Sequence, residues 1–177
     1  VHGTLRANGT SSEEIVFTSL YDDTVCGTGA DNQPVCDTNG DGTATAPEAG
    51  SWGNIQFRSS SGSSSTISYA RFKFSGSDSG NNVDDGPIWL ENAYPQLDHI
   101  SFEENYINGV ELAGGIEWQT SSWDNNTLVH VVEDGDITIP TGATITITPG
   151  LTIKFDDDDS LLVDGKLMAV GTSANPI

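Results

Sequence analysis

The sharpest chemical pattern in the chain is Asp37-Thr38-Asn39-Gly40-Asp41-Gly42-Thr43-Ala44-Thr45-Ala46-Pro47-Glu48. It fits the calcium-loop spacing D-x-[DN]-x-[DN]-G-x5-E at every defined position. A hard cation needs several oxygens converging from a short segment. Asp37, Asn39 and Asp41 supply three side chains on one side of a curled chain, and Gly42 permits the sharp turn. Thr43 offers its carbonyl, Thr45 can act through a water, and Glu48 closes the shell with two oxygens. Ca2+ is therefore the expected cofactor. Asp22 and Asp23, just upstream, are candidates for an additional ligand. Pro47 and the Ala49-Gly50-Ser51 that follows oppose an exiting helix, so the loop is expected without a helix pair and without sensor behaviour. The run Asp156-Asp157-Asp158-Asp159 reads as a solvated turn, with a second, weaker calcium site as the alternative.

Cys26 and Cys36, the two thiols, have nine residues between them in a Gly/Asp/Asn/Pro stretch too polar to bury either. A disulfide closing this loop is expected, which implies an oxidising, extracellular setting. His2, His99 and His130 stand too far apart to complete a zinc site with them.

Catalytic patterns are weaker. Arg58, Arg71 and Lys73 could line one strand face, and Asp84-Asp85 and Glu103-Glu104 are the best carboxylate pairs for hydrolysis. Neighbouring residues in a strand point to opposite faces, however, so neither pair makes an acid and base by itself. No Ser/His/Asp grouping or phosphate-binding glycine loop is recognisable. The chain is expected not to be an enzyme. Trp52, Trp89, Trp118 and Trp123, with Tyr69, Tyr94 and Tyr106, read chiefly as core, and as a sugar platform if a row of them is exposed. Asn8-Gly9-Thr10 and Asn125-Asn126-Thr127 are N-glycosylation sequons.

The elements that must position these groups are strands. The chain has 177 residues, 26 acidic against 6 basic, for a net charge of -20, with 20 glycines. That balance excludes binding nucleic acid through basic patches and opposes anionic membranes, while favouring bound cations. No apolar run reaches the length of a membrane helix, and membrane insertion is not expected. Short β-rich runs recur at Glu14–Leu20, Ser51–Phe57, Thr66–Phe74, Ile88–Glu91, Leu128–Glu133, Asp136–Ile139, Ala143–Thr148, Leu151–Phe155 and Ser160–Val170, separated by Gly, Asn, Ser and Asp. The window Glu91–Val110, broken by Pro95 and Gly109, reads as strand and turn. Ser59–Thr66 reads as a flexible low-complexity loop, or a site of O-linked sugar.

The two ends repeat one another. Val1–Ile15 and Val163–Ile177 correspond at an offset of 162, with Val1, Gly3, Leu5, Ala7, Gly9, Thr10, Ser11 and Ile15 identical in the two copies. The identities in the first half fall on alternate positions, the period of a strand packed on one face. The chain also opens at Val1 inside that alternation, as expected of a piece of something longer.

The segment Asp136–Gly150 with Leu151–Phe155, Leu162–Thr172 and Pro176-Ile177 resembles the repeats of right-handed parallel β-helices in large secreted bacterial and archaeal surface proteins. Ile15–Ser19 and Ser51–Phe57 continue the pattern; Ser75–Ser122 carries it least. The Asp37–Glu48 loop is similar to dockerin-type calcium sites. The resemblance implies an all-β solenoid over residues 1–177, with an inserted disulfide and calcium loop at 22–50 and corners at Pro140, Gly142, Pro149 and Gly150. It implies an extracellular structural role at the cell surface, in which copies continue head to tail as tandem repeats or filament subunits. A carbohydrate-binding or adhesive module is the alternative, and a polysaccharide lyase or hydrolase a further one.

Overall fold

A computed structural model describes residues 3–58, 64–76 and 85–177. Val1, His2, Ser59 to Ser63 of the serine-rich loop and Asp84 lie outside the described residues. The chain forms six successive coils of short strands, and among the described residues there is no α-helix. The first coil carries β1 (Arg6–Asn8), β2 (Ile15–Phe17) and, after the hairpin β3 (Gly27–Thr28) and β4 (Pro34–Val35), β5 (Ile55–Arg58). The second carries β6 (Thr66–Lys73) and β7 (Ile88–Glu91), the third β8 (Gln96–Glu103) and β9 (Val110–Ala113). The fourth has β10 (Ile116–Glu117), β11 (Ser121–Trp123) and β12 (Val129–Glu133), the fifth β13 (Ile137–Ile139), β14 (Thr144–Ile147) and β15 (Thr152–Phe155). The sixth has β16 (Leu161–Val163) and β17 (Lys166–Ala169).

Among the described residues every strand pairing between coils is parallel, while the β3–β4 hairpin and the isolated Thr10–Glu13 bridge are antiparallel. One sheet runs through the first five coils in the order β15-β12-β9-β7-β5. A second, of β1 and β2 on β6 and then β8, serves the first three coils, and the sheets β10-β13-β16 and β11-β14-β17 serve the last three. This is the stacked parallel arrangement of a β-solenoid.

The register converts alternation along each strand into columns across the stack. Ile55, Ile88, Val110, His130 and Ile153 form one column, and Phe57, Leu90, Leu112, Val132 and Phe155 the next. Phe17, Phe72 and Phe102 stack in a third, with ring centroids 4.8 and 5.8 Å apart. Trp118 and Trp123, fully buried, meet edge to face at 5.3 Å. Interior members of these columns have no exposed surface, whereas Leu161 and Leu167 on the sixth coil are only half-buried.

The corners explain the glycines. Gly142 and Gly150 have φ of 92° and 88°, values that cost a residue with a Cβ. At Gly114 the constraint is proximity, because a Cβ there would run into the carbonyl oxygens of Gly135 and Glu133 on the next coil. The run expected as one strand over Ser160–Val170 is two, since the backbone turns inward at Asp164-Gly165 so that both N–H groups reach Ile139 O, at 3.0 and 2.8 Å.

Candidate metal centres

The first site is built outside the stack, in the chain that leaves β2 and returns at β5. Cys26 and Cys36 are joined by a disulfide that closes the β3–β4 hairpin beside its Gly27–Val35 pair. A hairpin of two residues per strand buries almost nothing and cannot hold itself. The covalent link does so, by limiting what the unfolded segment can reach. The base of the insertion is pinned by Asp22. Its carboxylate is wholly buried and takes hydrogen bonds from the Thr18 hydroxyl at 2.6 Å, from Thr24, and from the Lys73 ammonium on β6 at 3.1 Å. Burial pushes this carboxyl up, but the bonds from Thr18, Thr24 and Lys73 outweigh it and hold the group at about 2. Asp22 is thus committed to anchoring the insertion.

Its neighbour Asp23 points the other way. Asp23, Asp37 and Asp41 each place a carboxylate oxygen within 4.8 Å of the other two. Asp37 Oδ1 receives the N–H groups of Gly40 and Asp41 at 2.7 and 3.1 Å, and its Oδ2 that of Gly42 at 2.9 Å. These bonds curl the loop over the carboxylate, aided by positive φ at Gly40 and Gly42. Asn39 and Thr45 lie in the same curl, Asn39 Nδ2 donating to Thr45 Oγ1 at 3.0 Å and Thr45 Oγ1 to Asp41 Oδ2 at 2.5 Å. Asp23 Oδ1 and Asp41 Oδ1 are buried without a partner. Burial first, and then repulsion from Asp37, Asp41 and Asp22, pushes the Asp23 carboxyl up. Two unpartnered buried oxygens in an all-oxygen cluster suit a hard cation.

Five residues were read from the sequence as a ligand set, and the structure gathers them unequally. Asp37 and Asp41 meet, Asn39 borders them, and Asp23 joins. Thr43 and Glu48 are exposed, and Glu48 lies outside the carboxylate group, its backbone N–H held by Ser51 Oγ at 2.9 Å.

A second acidic group combines Asp85, Glu111 and Asp134, again with one oxygen each within 4.8 Å of the others. In the sequence Asp85 stands out only as half of the Asp84-Asp85 pair, and no spacing singles out Glu111 or Asp134. The structure buries Glu111 completely, because the chain at Asp85-Gly86 crosses over it and Gly86 N–H donates to Glu111 Oε2 at 2.7 Å. Burial pushes the Glu111 carboxyl up to about 8, against the bond from Gly86, and the charges of Asp85, Glu133 and Asp134 add to the rise.

The remaining candidates are occupied. Arg71 pairs with Glu14 at 2.5 Å and Glu103 at 3.9 Å, Lys73 with Asp22, and Arg58 with Glu91 at 3.8 Å while lying over the Trp89 ring. Trp118, Trp123 and Tyr94 are buried, and Trp52 and Trp89 are half-buried. A groove of about 680 Å3 combines polar side chains such as Asn8, Gln96, Asp98 and Asp124 with Ile67 and Leu97, and has no aromatic in its wall. Asn8 is exposed, whereas Asn125 is buried with its amide donating to Pro95 O at 3.4 Å. Asp156–Asp159 form the turn between β15 and β16 and belong to neither acidic group. No described helix is long and apolar enough to cross a membrane.

Comparison of the chain with protein-family models, with curated proteins and with solved structures finds no match.

Proposed function

We propose that the chain is an extracellular structural unit, a right-handed β-solenoid whose coils continue head to tail into those of a further copy at the cell surface. The supporting observation is that the two ends repeat in bonding as well as in sequence. Thr10 N–H donates to Glu13 O at 2.9 Å and Glu13 N–H to Thr10 Oγ1 at 3.1 Å. At an offset of 162, Thr172 N–H donates to Asn175 O at 2.8 Å and Asn175 N–H to Thr172 Oγ1 at 3.0 Å. Gly9 and Gly171 are also packed against equivalent atoms of these turns. Residues 163–177 thus repeat the beginning of the first coil while resting on the fifth.

In this reading the joint follows the register of the last coil. β17 lies on β14 with Thr144 opposite Lys166, Ile145 opposite Leu167, Thr146 opposite Met168 and Ile147 opposite Ala169. In a following copy these partners correspond to Thr4, Leu5, Arg6 and Ala7. Leu162, Val163 and Met168, exposed on the sixth coil at 45%, 45% and 42%, gain cover from the next coil. The disulfide accords with an oxidising, extracellular setting, and Ca2+ is the cation proposed for the Asp23, Asp37 and Asp41 site. Electron microscopy of the native material tests the reading. Assemblies many units long are expected, and a monodisperse particle one unit long overturns it.

A further inference from the structure

We propose that Asp85, Glu111 and Asp134 form a second cation site, of calcium type, that ties the chain before β7 to the third and fourth coils. It rests on different residues from the Asp23, Asp37 and Asp41 loop and stands or falls separately from it.

Three observations converge. The carboxylates come from three places distant in sequence, the approach to β7, the middle of β9 and the turn after β12, yet each offers an oxygen within 4.8 Å of the other two. Glu111 has no exposed surface, and while its Oε2 accepts the Gly86 N–H, its Oε1 has no partner. A buried carboxylate oxygen without a donor is costly, and the neighbours facing it are further carboxylates. Among the described residues the hydrogen-bond donor to Glu111 is the Gly86 N–H, and no Lys or Arg forms an ion pair with it.

Asp134 is exposed and Asp85 half-buried, so an ion could enter from solvent past Asp134 and come to rest against Glu111. The donors are all oxygens, with no imidazole or thiolate, which selects calcium or magnesium over zinc or copper. Ligands from separate coils rather than one tight cage favour calcium, which tolerates irregular geometry. Asn54 Nδ2 donates to Asp85 Oδ2 at 3.0 Å and orients that side chain.

The test is calorimetric titration of calcium into the metal-stripped full chain. Wild type is expected to bind two ions, Asp41→Ala one, and Asp41→Ala with Glu111→Gln none. Asp134→Asn changes an exposed residue and keeps the fold intact whatever Glu111→Gln does; in the Asp41→Ala background it is expected to weaken the remaining site about tenfold or more. A single ion retained by Asp41→Ala and lost in Glu111→Gln supports this site and removes the loop site instead. An Asp41→Ala chain that binds no calcium, or an Asp134→Asn titration identical to its parent, overturns the proposal.

Discussion

Tyr94 Oη lies 2.7 Å from His130 Nε2, with the two rings nearly parallel and their centroids 5.7 Å apart. The imidazole occupies a position in an otherwise aliphatic column, between Val110 and Ile153. Asn125 N–H also donates to the phenol oxygen, at 3.4 Å. Burial holds His130 down at about 4, only partly countered by the bond involving the Leu128 backbone.

The ring should therefore stay neutral where an ordinary histidine titrates. Between pH 6.5 and 4 the unfolded chain takes up a proton that the folded chain refuses, so this residue's contribution to stability falls as pH drops, by about 3 kcal/mol over that range. In the metal-free chain Glu111 acts in the opposite sense, because its raised value makes the folded protein hold a proton between pH 4.5 and 8. The total slope with pH is thus a poor readout. NMR of the His130 ring protons is a direct one, and titration centred near 6.5 would contradict the assignment.

Lys73→Met should destabilise the protein by about 3 kcal/mol or more, because it leaves the buried Asp22 carboxylate without its cation. Asp22→Asn in the same background should recover part of the loss. Urea denaturation of the three chains measures both steps, and equal stability of wild type and Lys73→Met would count against the ion pair. Acid should act on the same link, since stability from a carboxyl held at about 2 is present near neutrality and is lost as pH falls from about 4 towards 2.

Chelation should increase proteolysis within residues 26–52 more than within the stacked coils, because the insertion holding Asp23, Asp37 and Asp41 has little else to order it, whereas the coils around Asp85, Glu111 and Asp134 are also held by strand pairing. Asp41→Ala should reproduce the effect without chelator. Glu48→Ala should be milder, given that side chain's position outside the group. Digestion patterns with and without calcium decide it, and a pattern indifferent to the metal would remove calcium from the loop.

Gly114→Ala should cost more than its conformational preference alone, on the order of 2 kcal/mol, since the methyl group meets two carbonyl oxygens of the adjacent coil. Gly3→Ala, where nothing lies within 4 Å, is the control. Thermal melts of the pair test whether the corner is as close as described.

Most of the strands from Ile137 to Ala169 were legible because both signals agreed there: alternation of Ile or Leu with Thr or Lys, and Pro or Gly at every corner but the Asp156–Asp159 turn. The stretch from Val110 to Trp123 was not. Its Glu111 is buried by a crossing segment remote in sequence, and Ser121 and Ser122 carry no strand preference, so their places come from the neighbouring coils. The disulfide and the Asp37–Asp41 curl were readable because each is local. Asp23 could be suspected only from proximity, and the Asp85, Glu111 and Asp134 group could not be found at all, since no spacing rule links residues that meet only after three coils have stacked.

The disulfide-closed insertion interrupts the first coil, between β2 and β5, and the residues that match that coil begin again only after five coils have been laid down. Each coil adds about 4.8 Å, so in a column built as proposed an acidic knob would project every ~24 Å. Such a spacing is a ruler: it would mark the surface at regular intervals, fix how closely neighbouring columns can approach, and give an axial reflection by which the number of coils per unit could be counted without resolving a single side chain.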